Sequence, residues 1–87
     1  MKVLIIEDEK SMALEMESFL NKLSYNCELA FNARQAKEKM LDQTYSFILL
    51  DLGLPDQDGL LLLKEVRSCG PDASYIILTA RGNVEDR

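Results

Sequence analysis

Residues 49–59 read LLDLGLPDQDG, with two leucines before an aspartate and a turn-forming segment after it. The apolar run at residues 47–50 is typical of a strand covered on both faces, as in the interior of a parallel sheet. The Gly, Pro and Asp residues that follow predict a turn directly after that strand. Asp51 therefore lies where a buried strand ends, and its desolvation cost favours a functional role over a purely structural one.

Strands and helices are predicted to alternate along the rest of the chain. Apolar or alternating runs predict four strands, at residues 3–6, 26–31, 47–50 and 75–78. Periodic apolar residues predict three helices, at residues 11–23, 33–43 and 60–69. The alternation in the second strand places it at a sheet edge. Alternating elements with short connections predict right-handed βαβ units and a doubly wound α/β fold with a parallel sheet.

Each predicted helix carries an apolar face that would pack on the sheet. The face of the first helix consists of Met12, Met16, Phe19, Leu20 and Leu23. The second helix has Asn32 as its N-cap and an inner face of Ala33, Ala36, Met40 and Leu41. The third helix would bury Leu62, Leu63, Val66 and Cys69 and end at Gly70 and Pro71.

Polar residues follow three of the predicted strands at one edge of the sheet. Glu7 and Asp8 follow the first strand, Asp51 closes the third, and Thr79 with Ala80 closes the fourth. In doubly wound sheets, ligands bind outside the carboxyl ends of the strands, so these residues are expected to converge. Three carboxylates in one crevice repel by about 4 kcal/mol per pair at about 4 Å, which a cation would offset.

The acidic residues at this edge predict a magnesium site. No His or Cys lies near them, which argues against zinc, whereas carboxylates, a backbone carbonyl and waters suit Mg²⁺. With such a metal, Asp51 would be the nucleophile in a phosphoryl transfer. The alternative for Asp8 or Glu9 is a helix N-cap, and turn formation is a sufficient explanation for Pro55 and Gly59.

Composition limits the classes of function. The chain has 87 residues, 47% of them hydrophobic and 29% charged, as in one small globular domain. A net charge of -5 without a basic cluster argues against direct binding to nucleic acid or to an anionic membrane. Cys27 and Cys69 lie far apart and no signal-like start precedes them, so we expect a cytoplasmic protein with free thiols.

Three segments together resemble a known family. VLIIEDE at residues 3–9, ILLDLGLPDQDGL at residues 48–60 and IILTAR at residues 76–81 are similar, in order and spacing, to the β1, β3 and β4 signatures of the response-regulator receiver domain of two-component systems. The resemblance covers the whole chain and is closest to receivers that precede a winged-helix (OmpR/PhoB-type) DNA-binding domain. It implies a flavodoxin-like sheet of strand order 2-1-3-4 and DNA contact only through a domain outside these residues.

The resemblance also implies residue roles. Asp51 would accept a phosphoryl group from a phosphohistidine of a sensor kinase. Asp8 would bind Mg²⁺ directly, Glu7 largely through water, and Gly53 through its backbone carbonyl. Thr79 would be the switch hydroxyl that turns toward the phosphoryl group.

Helix four, strand five with its lysine, and helix five of the family have no counterpart in the sequence up to Arg87. Residues 1–87 are therefore interpreted as an incomplete receiver domain, truncated after strand four, in which self-catalysed phosphorylation and dephosphorylation would be impaired. Strand four would then be an uncovered edge, which predicts self-association through that strand.

Three hypotheses for the function of the chain are compatible with its sequence. The first is a phosphoacceptor receiver, and the second is a structural or interaction module that binds Mg²⁺ but is not usefully phosphorylated. The third is a Mg²⁺-dependent phosphatase with an aspartyl nucleophile. It fits poorly, because such enzymes usually have a second acid two residues after the nucleophile, and Gly53 occupies that position. Leu14, opposite the apolar face of the first helix, is either an anchor for the sensor kinase or an ordinary exposed leucine.

Overall fold

The computed structural model of the protein describes residues 1–51, 54–56, 58–69 and 73–78. Strands and helices alternate through them in the order β1 (Lys2–Ile6), α1 (Lys10–Lys22), β2 (Asn26–Ala30), α2 (Ala33–Asp42), β3 (Phe47–Asp51), α3 (Gly59–Cys69) and β4 (Ser74–Leu78). Each of the seven predicted elements is confirmed, with bounds that differ by one residue at most.

The strands form one parallel sheet in the order β2-β1-β3-β4. This order confirms the predicted doubly wound fold and the edge position of β2. The chain moves outward from β1 to β2 and then crosses back to β3 on the other side of β1. The order of the strands therefore reverses between β1 and β3, where ligand sites of such sheets lie.

The main core lies between the sheet and helices α2 and α3. It joins side chains from β1, β3 and both helices, among them Leu4, Ile6, Ala33, Ala36, Ile48, Leu50, Leu62 and Val66. Asn32 caps α2 as predicted, since its Oδ1 accepts the Gln35 N–H at 2.8 Å. Burial of Ala30 shows that α2 covers one face of the edge strand, which is less exposed than its alternating sequence indicated.

The predicted apolar face of α1 is wrong in part. Ala13 is fully buried against the sheet, whereas Met12, Phe19 and Leu23 are exposed. At about 100° per residue, the buried stripe that begins at Ala13 is rotated by roughly 70° from the predicted one. The small Ala13 side chain lets the helix backbone approach the sheet closely. The bulkier residues then lie on the side of the helix, away from the sheet. Met16 and Leu20, which the two stripes share, are half-buried.

Leu41 is the other error in the predicted faces, with 80% of its surface exposed. It lies near the end of α2 and roughly 100° around the axis from the stripe of Ala33 and Ala36. The predicted inner face of α3 is confirmed at Leu62 and Val66. The Cys69 side chain and the predicted helix stop at residues 70–71 lie outside the described residues.

In the described part of the chain, no helix combines the length and the apolar character that a membrane span requires.

Candidate functional site

Three carboxylates meet at the carboxyl edge of the two central strands. β1 and β3 pair in parallel, so Glu7 and Asp8, which follow β1, lie beside Asp51, the last residue of β3. One carboxylate oxygen from each of the three lies within 4.8 Å of the others. The structure thus brings together the three acids that the sequence placed at this edge.

Two of these acids are nearly inaccessible to water. Glu7 is 2% exposed and Asp51 is 3% exposed, while Asp8 is half-buried. The backbone N–H of Glu7 donates to the Ala30 carbonyl at 3.0 Å, which fixes the chain where it leaves β1. Glu7 Oε2 accepts the backbone N–H of Glu9 at 3.1 Å. These contacts hold the Glu7 carboxylate toward the crevice.

Burial raises the pKa of Glu7 from its ordinary value of 4.5 to about 7. The hydrogen bond from the Glu9 N–H acts in the opposite direction, and the nearby carboxylates of Asp51 and Asp8 raise the pKa further. A carboxyl group with this pKa is only partly ionised at neutral pH, and a nearby positive charge would favour its ionised form. The site is therefore suited to a cation.

Glu9 has the capping role that the sequence left open for Asp8 or Glu9. Its Oε1 accepts the Met12 N–H at 3.0 Å, so Glu9 is the N-cap of α1. Asp8, one residue earlier, contributes its carboxylate to the acidic cluster instead. The capping interpretation thus holds for one acid of the run and not for its neighbour.

The remaining predicted site residues are Gly53, Thr79 and Ala80, and all three lie outside the described residues. Of the segment between β3 and α3, the structure describes residues 54–56 and 58. Leu54 is 9% exposed and joins the core, whereas Pro55 is exposed, as expected for a turn residue. Gly59 is the first residue of α3.

One contact near the site was not foreseen from the sequence. The backbone N–H groups of Ala33 and Arg34 donate to the two carboxylate oxygens of Asp56, at 2.8 and 3.2 Å. The Ala33 N–H in particular holds the pKa of Asp56 below its usual range. An aspartate after a proline indicates a turn, and nothing local in the sequence indicates a partner on another element.

The donor set of the acidic cluster fits Mg²⁺. The chain contains no histidine, and the three side chains offer only carboxylate oxygens, which Mg²⁺ prefers over the nitrogen and sulfur ligands of zinc. A divalent cation would also offset the desolvation of two buried acids, which is unfavourable without a partner of opposite charge. The metal predicted from the sequence is thus compatible with the residues present.

Comparisons with known proteins agree with this geometry. The response regulator receiver domain matches residues 3–87. The transcriptional regulatory protein PmrA of Pectobacterium parmentieri is 41% identical over 87 residues, which is 100% of this chain and 39% of PmrA. This chain therefore spans well under half the length of that relative.

Solved structures show the same fold. A two-component response regulator from Clostridium difficile has a TM-score of 0.90 and 28% identity, over 97% of this chain and 68% of that chain. The response regulator protein TrrA from Thermotoga maritima, in complex with Mg²⁺-BeF, has a TM-score of 0.85 and 29% identity, over 91% of this chain and 69% of that chain.

The strand order, the acids at the ends of β1 and β3, and a family match over residues 3–87 lead to one assignment. The resemblance seen in three sequence segments is confirmed, and transcriptional regulators among the relatives agree with the winged-helix (OmpR/PhoB-type) branch. The chain belongs to the family of response regulator receiver domains of two-component systems.

Proposed function

We propose that the chain is a phosphoacceptor, in which Asp51 receives a phosphoryl group from the phosphohistidine of a sensor histidine kinase in the presence of Mg²⁺. The observation that carries this proposal is the acidic cluster of Glu7, Asp8 and Asp51 at the point where the strand order reverses. Its burial and position are those of a reactive crevice rather than of a solvated acidic surface. The relative TrrA, solved with Mg²⁺-BeF, supports the choice of metal.

Asp8 and Asp51 would bind Mg²⁺ through their carboxylates, Glu7 largely through water, and Gly53 through its backbone carbonyl. When bound, Mg²⁺ supplies positive charge to the transferring phosphoryl oxygens. A bound cation would favour the ionised form of Glu7, whose protonated form is favoured by burial in its absence. The affinity of the site for Mg²⁺ would therefore depend on pH through Glu7.

In the transfer step, a carboxylate oxygen of Asp51 attacks the phosphorus atom of the phosphohistidine. The new bond is O–P, and the P–N bond breaks, leaving its electron pair on the imidazole nitrogen, which takes up a proton. The product is an acyl phosphate on Asp51 and a neutral histidine on the kinase. The hydroxyl of Thr79 would then turn toward the phosphoryl group and report its presence.

The test is to incubate the chain with Mg²⁺ and a small acyl phosphate donor and to measure its mass. We expect a gain of one phosphoryl group that requires Mg²⁺ and is lost in Asp51→Asn. The matched control is Asp42→Asn, which removes an exposed carboxylate on α2 and should leave the gain intact. Absence of the adduct in a chain that still binds Mg²⁺ would contradict the phosphoacceptor role and favour an interaction module.

The output of this receiver would be transcriptional and would involve DNA only through a domain outside these residues. Its relatives are transcriptional regulatory proteins of which the chain spans 39%. With an acidic surface and a net charge of -5, the receiver itself is not suited to the phosphate backbone. A sensor kinase as phosphoryl donor implies a cytoplasmic site of action.

We also propose that α1 contributes to the kinase contact through Leu14, which is 45% exposed. An exposed leucine on a helix beside the acidic crevice can fill a pocket on a partner that must reach Asp51. Leu14→Asp should slow phosphoryl transfer from the kinase but not from a small donor. Leu41→Asp, at another exposed leucine, is the control, and equal rates for the two variants would remove Leu14 from the interface.

A further inference from the structure

Asp56 connects two segments that are distant in sequence. It lies in the loop between β3 and α3, and its carboxylate accepts the Ala33 N–H at 2.8 Å and the Arg34 N–H at 3.2 Å. These N–H groups belong to the first turn of α2, where backbone donors have no partner within the helix. A negative charge at this end of a helix is also favoured by the helix dipole.

The contact is not the ordinary cap of α2. Asn32 already caps the helix by accepting the Gln35 N–H at 2.8 Å, and Gln35 Oε1 accepts the Phe31 N–H at 2.9 Å. These bonds lie within one stretch of sequence. The Asp56 bonds come from 23 and 22 residues away, so they restrain the position of a second loop relative to the helix.

That second loop leaves the acidic cluster directly. It starts at Asp51, which is 3% exposed, and passes through Leu54. The Leu54 side chain packs in the core and is 9% exposed. Asp56 adds a further anchor two residues later. The backbone between Asp51 and α3 is therefore fixed at two described points, one apolar and one polar.

The start of α2 is tied to the same cluster from the other direction. The Ala30 carbonyl, at the end of β2, accepts the backbone N–H of Glu7 at 3.0 Å. Contacts thus run from Glu7 to the end of β2, along the two residues that lead into α2, across to Asp56, and back through Leu54 to Asp51. Asp56 therefore completes a path of contacts that begins and ends at residues of the acidic cluster.

We propose that Asp56 is a positioning residue, which holds the loop after Asp51 against the first turn of α2 and so fixes the oxygen ligands of the metal-dependent site. The inference rests on the proposed function for its metal and its phosphoryl chemistry. A residue that only stabilises α2 would affect folding but not the affinity of the site. The two roles can therefore be separated by measurement.

The experiment compares Asp56→Ala and Asp56→Asn with Asn32→Ala in the 87-residue chain. Asn32→Ala removes the local cap of the same helix but leaves the link between the loops, so it controls for loss of helix stability. Mg²⁺ dissociation constants are measured by calorimetric titration, and amide exchange at Ala33 and Arg34 reports the link itself.

We expect Asp56→Ala to raise the Mg²⁺ dissociation constant about tenfold, as is typical when a group that orients metal ligands is lost. Exchange at the Ala33 and Arg34 amides should become faster in the same variant. Asp56→Asn, which keeps one oxygen acceptor, should restore part of the affinity. Asn32→Ala should lower the Tm and leave the Mg²⁺ dissociation constant unchanged.

Unchanged Mg²⁺ affinity in Asp56→Ala, or equal losses in Asp56→Ala and Asn32→Ala, would overturn the positioning role. The proposed function is judged separately, by phosphoryl incorporation into the unsubstituted chain. If that chain binds Mg²⁺ but takes up no phosphoryl group, the proposed function fails while the affinities still decide the role of Asp56. If it binds no Mg²⁺, the inference about Asp56 is overturned as well.

Discussion

Glu7 is the residue whose protonation should govern the stability of the metal-free chain. Its pKa is raised by burial from 4.5 in the unfolded state to about 7 in the folded state. Between these values the unfolded state binds fewer protons, so the free energy of unfolding falls as the pH rises. Above pH 7 the free energy of unfolding should be lower by about 3 kcal/mol than at acidic pH, since each pKa unit corresponds to about 1.4 kcal/mol.

Denaturant unfolding in the presence of a chelator measures this loss. We expect Glu7→Gln, which mimics the protonated acid, to abolish the fall in stability between about pH 5 and pH 7. Glu15→Gln, on the exposed face of α1, should retain it. Saturating Mg²⁺ should also remove the fall, because the metal replaces the proton. The same pH slope in Glu7→Gln and the unsubstituted chain would contradict the assignment.

Strand β2 is joined to its neighbours by a polar network centred on Glu28. The Glu28 carboxylate accepts the Tyr45 hydroxyl at 2.9 Å and Gln43 Nε2 at 3.0 Å, and Lys2 Nζ lies at 3.4 Å. Lys39 Nζ on α2 lies at 3.7 Å. The network links β1, β2, α2 and the segment before β3, and it satisfies the hydroxyl of Tyr45, which is 3% exposed.

Replacing Glu28 with Gln should destabilise the chain by about 1–2 kcal/mol at neutral pH, because one acceptor oxygen is lost and the other no longer carries a negative charge. The Tyr45 hydroxyl, the main cause, holds the pKa of Glu28 below its usual range. A lowered folded pKa means that this stability is present above the unfolded pKa of 4.5 and is lost as the pH falls through the folded pKa.

The measurement is denaturant unfolding of Glu28→Gln and the unsubstituted chain at neutral and at acidic pH. The difference in stability should shrink at acidic pH, where Glu28 is itself protonated. Tyr45→Phe removes the hydroxyl alone and, combined with Glu28→Gln, should cost less than the sum of the two single changes. A difference that is independent of pH would show that the charge of Glu28 contributes nothing.

The elements themselves could be predicted because their signals are local. The apolar run before Asp51 and the cap at Asn32 each define a boundary within a few residues. The rotation of α1 could not be predicted, since periodicity gives an apolar stripe but not which edge of it faces the sheet. Ala13 decides that rotation through close approach, and alanine carries a weak hydropathy signal.

The candidate site likewise has a part that could be predicted from the sequence and a part that could not. Glu7, Asp8 and Asp51 could be brought together from sequence because a parallel sheet puts the carboxyl ends of adjacent strands at one edge. The link from Asp56 to α2 depends on the path of a loop across 23 residues of separation, for which the sequence has no periodic signal. The network at Glu28 is likewise a product of tertiary structure.

Apolar side chains are exposed on β4, the outermost strand on one side of the described sheet. On β4, which pairs with β3, Ile76 is 47% exposed and Ile77 is 37% exposed. Successive side chains of a strand point to opposite faces, so both faces of β4 are partly uncovered. Edge strands with exposed apolar residues tend to pair with another chain, which supports the self-association predicted from the sequence.

We therefore expect the chain to form a dimer through β4 at high concentration, and sedimentation velocity over a range of concentrations should show it. Ile76→Lys should shift the population toward monomer, because a charge on an edge strand opposes pairing. Leu41→Lys places the same charge at a leucine that is 80% exposed on α2 and should leave the dimer intact.

Since the association buries apolar surface in a chain of net charge -5, added salt should strengthen it by screening the repulsion between copies. A well-folded monomer at the highest concentration, or equal weakening by both lysine substitutions, would rule out β4 as the contact.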